Sequence, residues 1–217
     1  ESEIKKKYPN YYIIYLESDT RGAAETIAIG TKDINNDDNT ILLDGDTFYR
    51  IDLLSVYRMS KQKNMVVCFR QSDERPIYSY VGFDENKIIN KIAEKDRVTE
   101  FANSGAYAFE KLSDLKKYCN KIISEELKFG GEFYMSRVIA EMIKDKKKFV
   151  ASVINESDFD VVGSPFKYKL FQSKFMQTKD IEYFKKYRIC FDFDNTLVTY
   201  PVVPADYTAV KPIQENI

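Results

Sequence analysis

Asp192 and Asp194 stand one residue apart at the end of an apolar run, Tyr187 to Phe191, and are followed by Asn195-Thr196. Side chains alternate along a strand, so both carboxylates fall on one face. Two carboxylates aimed together can hold a divalent cation, and one of them can attack a phosphorus centre. A second strand-like run begins at Thr40 and ends in Asp44-Gly45-Asp46. In open α/β sheets ligands collect beyond the carboxyl ends of strands. A carboxylate there, beside a glycine that lets backbone approach closely, suits Mg²⁺ bound to a nucleotide phosphate. The same Asp-Gly suits a type I′ hairpin turn, and on this run alone the two uses weigh equally.

The rest of the composition narrows the chemistry. Histidine is absent from the 217 residues, which excludes Ser-His-Asp and Cys-His catalysis and every His-ligated zinc site. Carboxylates, lysines, backbone amides and a hard cation such as Mg²⁺ remain. Lys and Arg number 33 against 34 Asp and Glu, a net charge of -1, so no electrostatic case for nucleic acid arises. Cys68, Cys119 and Cys190 are odd in number and form no CxxC pair. They read as reduced core residues of a cytoplasmic protein. No apolar stretch reaches membrane-spanning length, and no membrane partner is expected. The chain opens on Glu1 rather than Met, and both ends read as cut.

These residues need elements to hold them. Short runs rich in β-branched and aromatic residues predict strands at Tyr11–Leu16, Thr40–Asp44, Met65–Arg70, Ile77–Phe83, Ser104–Phe109, Phe149–Ile154 and Tyr187–Asp192. Helical spacing falls between them, at Ala23–Ile29, Ile51–Met59, Leu112–Leu127, Met135–Ile143 and Phe166–Met176. In the third of these, apolar residues recur at 112, 115, 118, 119, 122 and 123, a stripe down one helix face. Strands alternating with helices predict an α/β fold: a mixed, mostly parallel open sheet with flanking helices. The polar segment Gln177–Lys186 reads as a linker, which divides the chain into residues 1–178 and 179–217.

Six segments, in order, resemble the sugar-phosphate nucleotidyltransferases, a GT-A-like family. They are Thr20-Arg21-Gly22-Ala23-Ala24-Glu25-Thr26, Leu43-Asp44-Gly45-Asp46, Ile92-Ala93-Glu94-Lys95, Asn103-Ser104-Gly105-Ala106-Tyr107-Ala108-Phe109, Gly131-Glu132-Phe133-Tyr134-Met135-Ser136 and Phe159-Asp160-Val161-Val162-Gly163-Ser164-Pro165. The resemblance implies a Mg²⁺-dependent transfer from a nucleoside triphosphate to a sugar phosphate or similar phosphoester, with release of pyrophosphate. By the same resemblance Asp46 holds the metal, Lys95 faces the acceptor phosphate, and Gly22, Asn103, Gly105, Glu132 and Gly163 line the substrates. Two departures stand out. The family's glycine-rich "GxGxRL" loop has no counterpart before Tyr11. The usual second metal carboxylate falls on Val161, with Asp160 one residue earlier and Asp158 the alternative. A one-residue slip along a strand turns a side chain to the other face. The residues keep plain structural uses as well: Lys95 suits an exposed strand end, Glu132 a helix N-terminus, and Tyr107 the core.

Asp192-Phe193-Asp194-Asn195-Thr196 resembles motif I of the haloacid-dehalogenase (HAD) phosphatases, DxDxT. That implies Asp192 as nucleophile, Asp194 as general acid/base, and both at a Mg²⁺ site. Residues 179–217 are then the start of a HAD-like domain, without phosphatase activity of their own. A transferase followed by such a segment resembles two-domain proteins of surface-polysaccharide synthesis. The alternatives are a HAD phosphatase with an accessory domain and a non-catalytic GT-A-like module that binds nucleotide or sugar. The oligomeric state is open.

Overall fold

The computed structural model describes residues 2–178 apart from 10, 62 and 73. In chain order the elements are α1 (Ser2–Lys7), α2 (Ala23–Gly30), β1 (Thr40–Leu43), β2 (Thr47–Tyr49), α3 (Leu53–Met59), β3 (Met65–Arg70), β4 (Ser79–Phe83), β5 (Ile89–Glu94), β6 (Phe101–Phe109), α4 (Leu112–Ser124), α5 (Met135–Lys144), β7 (Val150–Ile154), a 3₁₀ turn (Glu156–Asp158), β8 (Phe159–Val161) and α6 (Pro165–Thr178). The expected HAD-like segment, with Asp192 and Asp194, lies outside the described residues.

The unbroken apolar run Met65-Val66-Val67-Cys68-Phe69 marks a strand covered on both faces. Its residues alternate between two cores. Val66 and Cys68 join Tyr107, Phe109, Leu115, Tyr118, Val138 and Phe149 on one side. Met65, Val67 and Phe69 join Tyr49, Tyr57, Tyr80, Ala106 and Phe159 on the other. Helix α4 buries Leu112, Leu115, Tyr118, Cys119 and Ile122, five of the six stripe residues, with Ile123 packed at the margin. At roughly 1.5–3 kcal/mol per large apolar side chain, this docking outweighs the weak intrinsic stability of so short a helix.

The sheet has six strands in the order β5-β4-β6-β3-β7, with β1 also on β6. It is mixed, as expected, but its parallel share is smaller: among the described strands only β3 and β7 run parallel. The pairs β1–β6, β3–β6, β4–β5 and β4–β6 are antiparallel. The connections explain this. A short turn through Asp84 and Lys87, closed by Lys87 N–H to Asp84 O at 2.9 Å, makes β4–β5 a hairpin, and a parallel pair needs a long crossover. The strand expected at Tyr11–Leu16 is absent. Those residues adopt no ladder, and Tyr12 and Tyr15 are 79% and 61% exposed. Strand-forming side chains alone do not make a strand without a neighbour to pair with.

One feature of β6 places the site. Strand β3 pairs with one edge of β6 at Phe101–Asn103 and again at Ala106–Ala108, and the register shifts between them at Ser104 and Gly105. On the other edge β1 pairs with residues 106–109 and β4 only at Ala102. Asn103, Ser104 and Gly105 are therefore flanked by two strand ends, and the sheet is notched there. A separate two-stranded sheet, β2–β8, pairs Thr47 with Val161 and Phe48 with Asp160. Among the described residues no helix is long and apolar enough to cross a membrane.

Candidate active site

A cavity of about 350 Å³ opens at this notch. Asp44 and Asp46 enter it from the turn after β1, and Thr47 from the start of β2. Ile77, Tyr78 and Ser79 enter from the start of β4, Glu94 and Lys95 from the end of β5, and Asn103, Ser104, Gly105 and Tyr107 from β6. Glu132, Tyr134 and Met135 close it from the approach to α5, and Ala23 and Val161 complete the wall. Five sequence-predicted residues thus share one cavity: Asp46, Lys95, Asn103, Gly105 and Glu132. They come from segments as far apart as residues 46 and 132.

The strand end is built tightly. Asp44 N–H donates to Gly105 O at 2.8 Å. Gly105 has φ +89, and a Cβ there would meet Asp44 Oδ2 at 2.5 Å and Cγ at 2.9 Å. Only glycine fits both that conformation and that approach. Asp46 O accepts from Val162 N–H at 2.7 Å, and the Asp46 carboxylate occupies the space where a Cβ on Gly163 would stand. Gly163 therefore admits Asp46 and is absent from the cavity lining. Gly22 has a similar service elsewhere: a Cβ on it would lie 2.8 Å from the backbone N and O of Phe133. Its neighbour Ala23, not Gly22, reaches the cavity.

Asn103 is committed within β6. Its Oδ1 accepts from Gly105 N–H at 3.1 Å, and its amide donates to the Tyr107 hydroxyl. The residue shapes the cavity floor. Glu132 is presented by a two-residue hairpin turn. Phe129 and Glu132 exchange N–H···O bonds of 3.0 Å, and Gly130 and Gly131 between them have φ 58 and 93, as a type I′ turn requires.

Asp160 is placed away from the cavity. It pairs with Arg50 and with Lys174 at 3.2 Å. Strand alternation is the reason. Thr47 and Val161 are register partners and both line the cavity. Asp160 and its partner Phe48 are turned toward α6, where Phe48 packs on Phe171. The one-residue slip in the sequence is a real change of face, and the geometry speaks against Asp160 as a metal ligand. Asp158 is no substitute: its Oδ2 accepts from Asn155 N–H at 2.8 Å and closes a capping box.

Glu94, Tyr134 and Asp44, to which the sequence assigned no site role, also line the cavity. Glu94 is buried and accepts from Ser79 Oγ at 2.5 Å and Ser136 Oγ at 2.6 Å, which ties β4, β5 and α5 together. Tyr134 Oη accepts from Lys95 Nζ at 2.9 Å. Asp44 shares the cavity with Asp46. Protein crowding around the Asp44 carboxyl, then the charges of Asp46 and Glu94, push its pKa up to about 7, although the residue keeps an opening to solvent. The available signals were slight: Glu94 directly precedes Lys95, and Asp44 lies two residues before Asp46. Among the described residues no group of three or more carboxylate or thiol ligands gathers as a ready cation cage.

Comparisons with known proteins follow this geometry. The family described as Nucleotidyl transferase matches residues 3–165. The fold is similar to that of a nucleoside-diphosphate-sugar pyrophosphorylase from Vibrio cholerae RC9, with TM-score 0.68 and 17% identity over 79% of this chain and 75% of that one. It is also similar to the inositol-1-phosphate CTP transferase from T. maritima, with TM-score 0.51 and 14% identity over 70% of this chain and 60% of that one. At such identities the likeness is one of fold. No curated protein sequence matches the chain.

Proposed function

Because this chain belongs to the nucleotidyl transferase family, we propose that its notch cavity transfers a nucleotidyl group from a nucleoside triphosphate to a sugar phosphate or similar phosphorylated acceptor. The chain is an enzyme of that family, and the similarity to a nucleoside-diphosphate-sugar pyrophosphorylase fold supports the choice of acceptor. The observation that carries the reading is the meeting of Asp46, Lys95 and Glu132, from three separate segments, in one cavity at strand ends.

Mg²⁺ fits the residues present. Asp44 and Asp46 bring two carboxylates into one cavity, and the Asp44 pKa is raised first by desolvation and then by the charges of Asp46 and Glu94. Asp46 would hold the ion, with Asp44 as a second carboxylate in the same cavity. A site with so few protein ligands suits Mg²⁺, which keeps water and phosphate oxygens around it. When bound, the ion would neutralise charge on the nucleotide's phosphates. The other groups are the chain's own. The Lys95 ammonium attracts the acceptor phosphate as a point charge. Glu132 accepts hydrogen bonds from acceptor hydroxyls. Gly105 and Gly163 keep the two aspartates in place. The acceptor's phosphate oxygen then bonds to the α-phosphorus as the bond to pyrophosphate breaks, so most of the catalysis is positioning and charge stabilisation.

On sequence grounds we assign Asp192 and Asp194 to the start of a HAD-type segment over residues 179–217. We place the whole in the cytoplasmic synthesis of surface-polysaccharide precursors. The test is thermal shift with CTP, UTP, GTP, ATP and dTTP, each with and without Mg²⁺. One nucleotide raises Tm in a Mg²⁺-dependent way. No response to any of the five would refute nucleotide binding by this cavity.

A further inference from the structure

A lysine on a flexible four-carbon stem samples many rotamers, so an ammonium meant to meet a phosphate gains from being held. Lys95 is held at both ends. At the head, Nζ donates to Tyr134 Oη at 2.9 Å and stands 5.0 Å from the centre of its ring. At the base, the backbone has φ 47, a left-handed conformation uncommon for lysine. Its N–H donates to Tyr78 O at 2.9 Å. Glu94, one residue before, is clamped by Ser79 and Ser136.

Tyr134 is itself braced. Its ring meets Phe129 edge-on, with centroids 6.3 Å apart and planes at 70°. Phe129 is set by the Gly130-Gly131 turn. The tyrosine sits at the N-cap of α5, where its side chain caps nothing; its hydroxyl is shared instead between Lys95, from which it accepts, and Glu132, to which it donates. Charges near Lys95 come from Glu94 and Glu132, but the contact that fixes the ammonium is with the phenol.

We infer that Tyr134 is a positioning residue whose hydroxyl and ring hold the Lys95 ammonium toward the acceptor phosphate. The inference rests on the nucleotidyl-transfer reading of the cavity, and two measurements separate the fate of each. The hydrogen bond to Tyr134 is also the largest cause of the raised Lys95 pKa, so losing it makes the amine both freer and more nucleophilic.

The first measurement needs no substrate. The 217-residue chain and its Tyr134→Phe variant are acylated with limiting N-hydroxysuccinimide acetate, and labelling at Lys95 is read by peptide mass spectrometry against Lys91. Tyr134→Phe keeps the ring and removes only the hydroxyl; matching circular dichroism and Tm confirm the fold. Labelling of Lys95 rises about threefold to tenfold, the scale of one lost hydrogen bond. Unchanged labelling in both Tyr134→Phe and Tyr134→Ala overturns the positioning role. The second measurement uses glucose 1-phosphate as acceptor probe with the nucleotide found by thermal shift. The acceptor KM rises about fivefold in Tyr134→Phe while the nucleotide KM and kcat stay within about a factor of two. Altered labelling with an unaltered acceptor KM would leave Lys95 positioned but not a phosphate contact, and would count against the reading of the cavity rather than the hold itself.

Discussion

Replacing Gly105 with alanine probes how the cavity's aspartates are seated, without touching a chemical group. The new methyl meets two obstacles. The backbone at φ +89 disfavours any side chain, at a cost of about 1–3 kcal/mol. The methyl would also press on Asp44, at 2.5 Å from Oδ2, 2.9 Å from Cγ and 3.0 Å from Cβ. Asp44 cannot withdraw as a unit, because its N–H is bound to Gly105 O at 2.8 Å. Overpacking of this kind costs about 1–3 kcal/mol more. The expected loss is about 4 kcal/mol, measured as the change in urea midpoint at constant m. The two parts can be separated. In an Asp44→Ala background the carboxyl is gone, so Gly105→Ala should cost only the backbone part, about 2 kcal/mol, with a coupling of about 1–2 kcal/mol in the double-mutant cycle. A loss below about 1 kcal/mol in the parent, or a full loss undiminished in the Asp44→Ala background, would refute the reasoning.

Four other outcomes follow from the same structure. Leu115→Ala, at a side chain with no exposed surface, should cost about 2–5 kcal/mol in chemical denaturation; a neutral result would contradict the docking of α4. Ser136→Ala removes one of two hydroxyls bound to the buried Glu94 and should cost about 1–3 kcal/mol in the same assay, with Ser136→Thr milder. Burial raises the Cys68 and Cys119 thiols to about 12, so in a Cys190→Ser variant a thiol reagent at pH 8 should find about one thiolate in 10⁴ until denaturant is added. Fast labelling of the native variant would show the two cysteines to be accessible. Asp46→Asn should lower turnover about 10²-fold or more in a nucleotidyl-transfer assay, and turnover near that of the parent would remove Asp46 from the proposed metal seat.

The legible parts of the fold were those where one local pattern and the tertiary environment agree. The stripe in α4 repeats at helical spacing because that face meets the sheet, and β3 reads as an apolar run because it is covered on both sides. Strand β5 was hidden. Ile89-Asn90-Lys91-Ile92-Ala93-Glu94 carries neither clean alternation nor β-branched density, and it becomes a strand by pairing with β4. Strands β2 and β8, three residues each, are too short to show a period. In the cavity, Asp46, Lys95 and Glu132 could be named because each sits in a recognisable segment. The Glu94 clamp could not, since its two serines lie 15 residues before and 42 after it. Asp160 shows the converse. Its neighbourhood matched the family pattern, but strand periodicity turned it toward Arg50 and Lys174.

The notch in β6 is measured in ladder rungs. The last rung of β1 is Leu43 with Ala106 and the rung of β4 is Tyr80 with Ala102, so on that edge three positions without a rung, bridged only by Asp44 N–H to Gly105 O, span about 10 Å at 3.3 Å per residue. A mouth set by where two ribbons stop can only widen or narrow by whole steps. Extending either ribbon by one rung would advance that jaw by about 3.3 Å while leaving both hydrophobic layers beneath it untouched. Aperture is thus a dial separate from stability, and a protein engineer could turn it one click at a time.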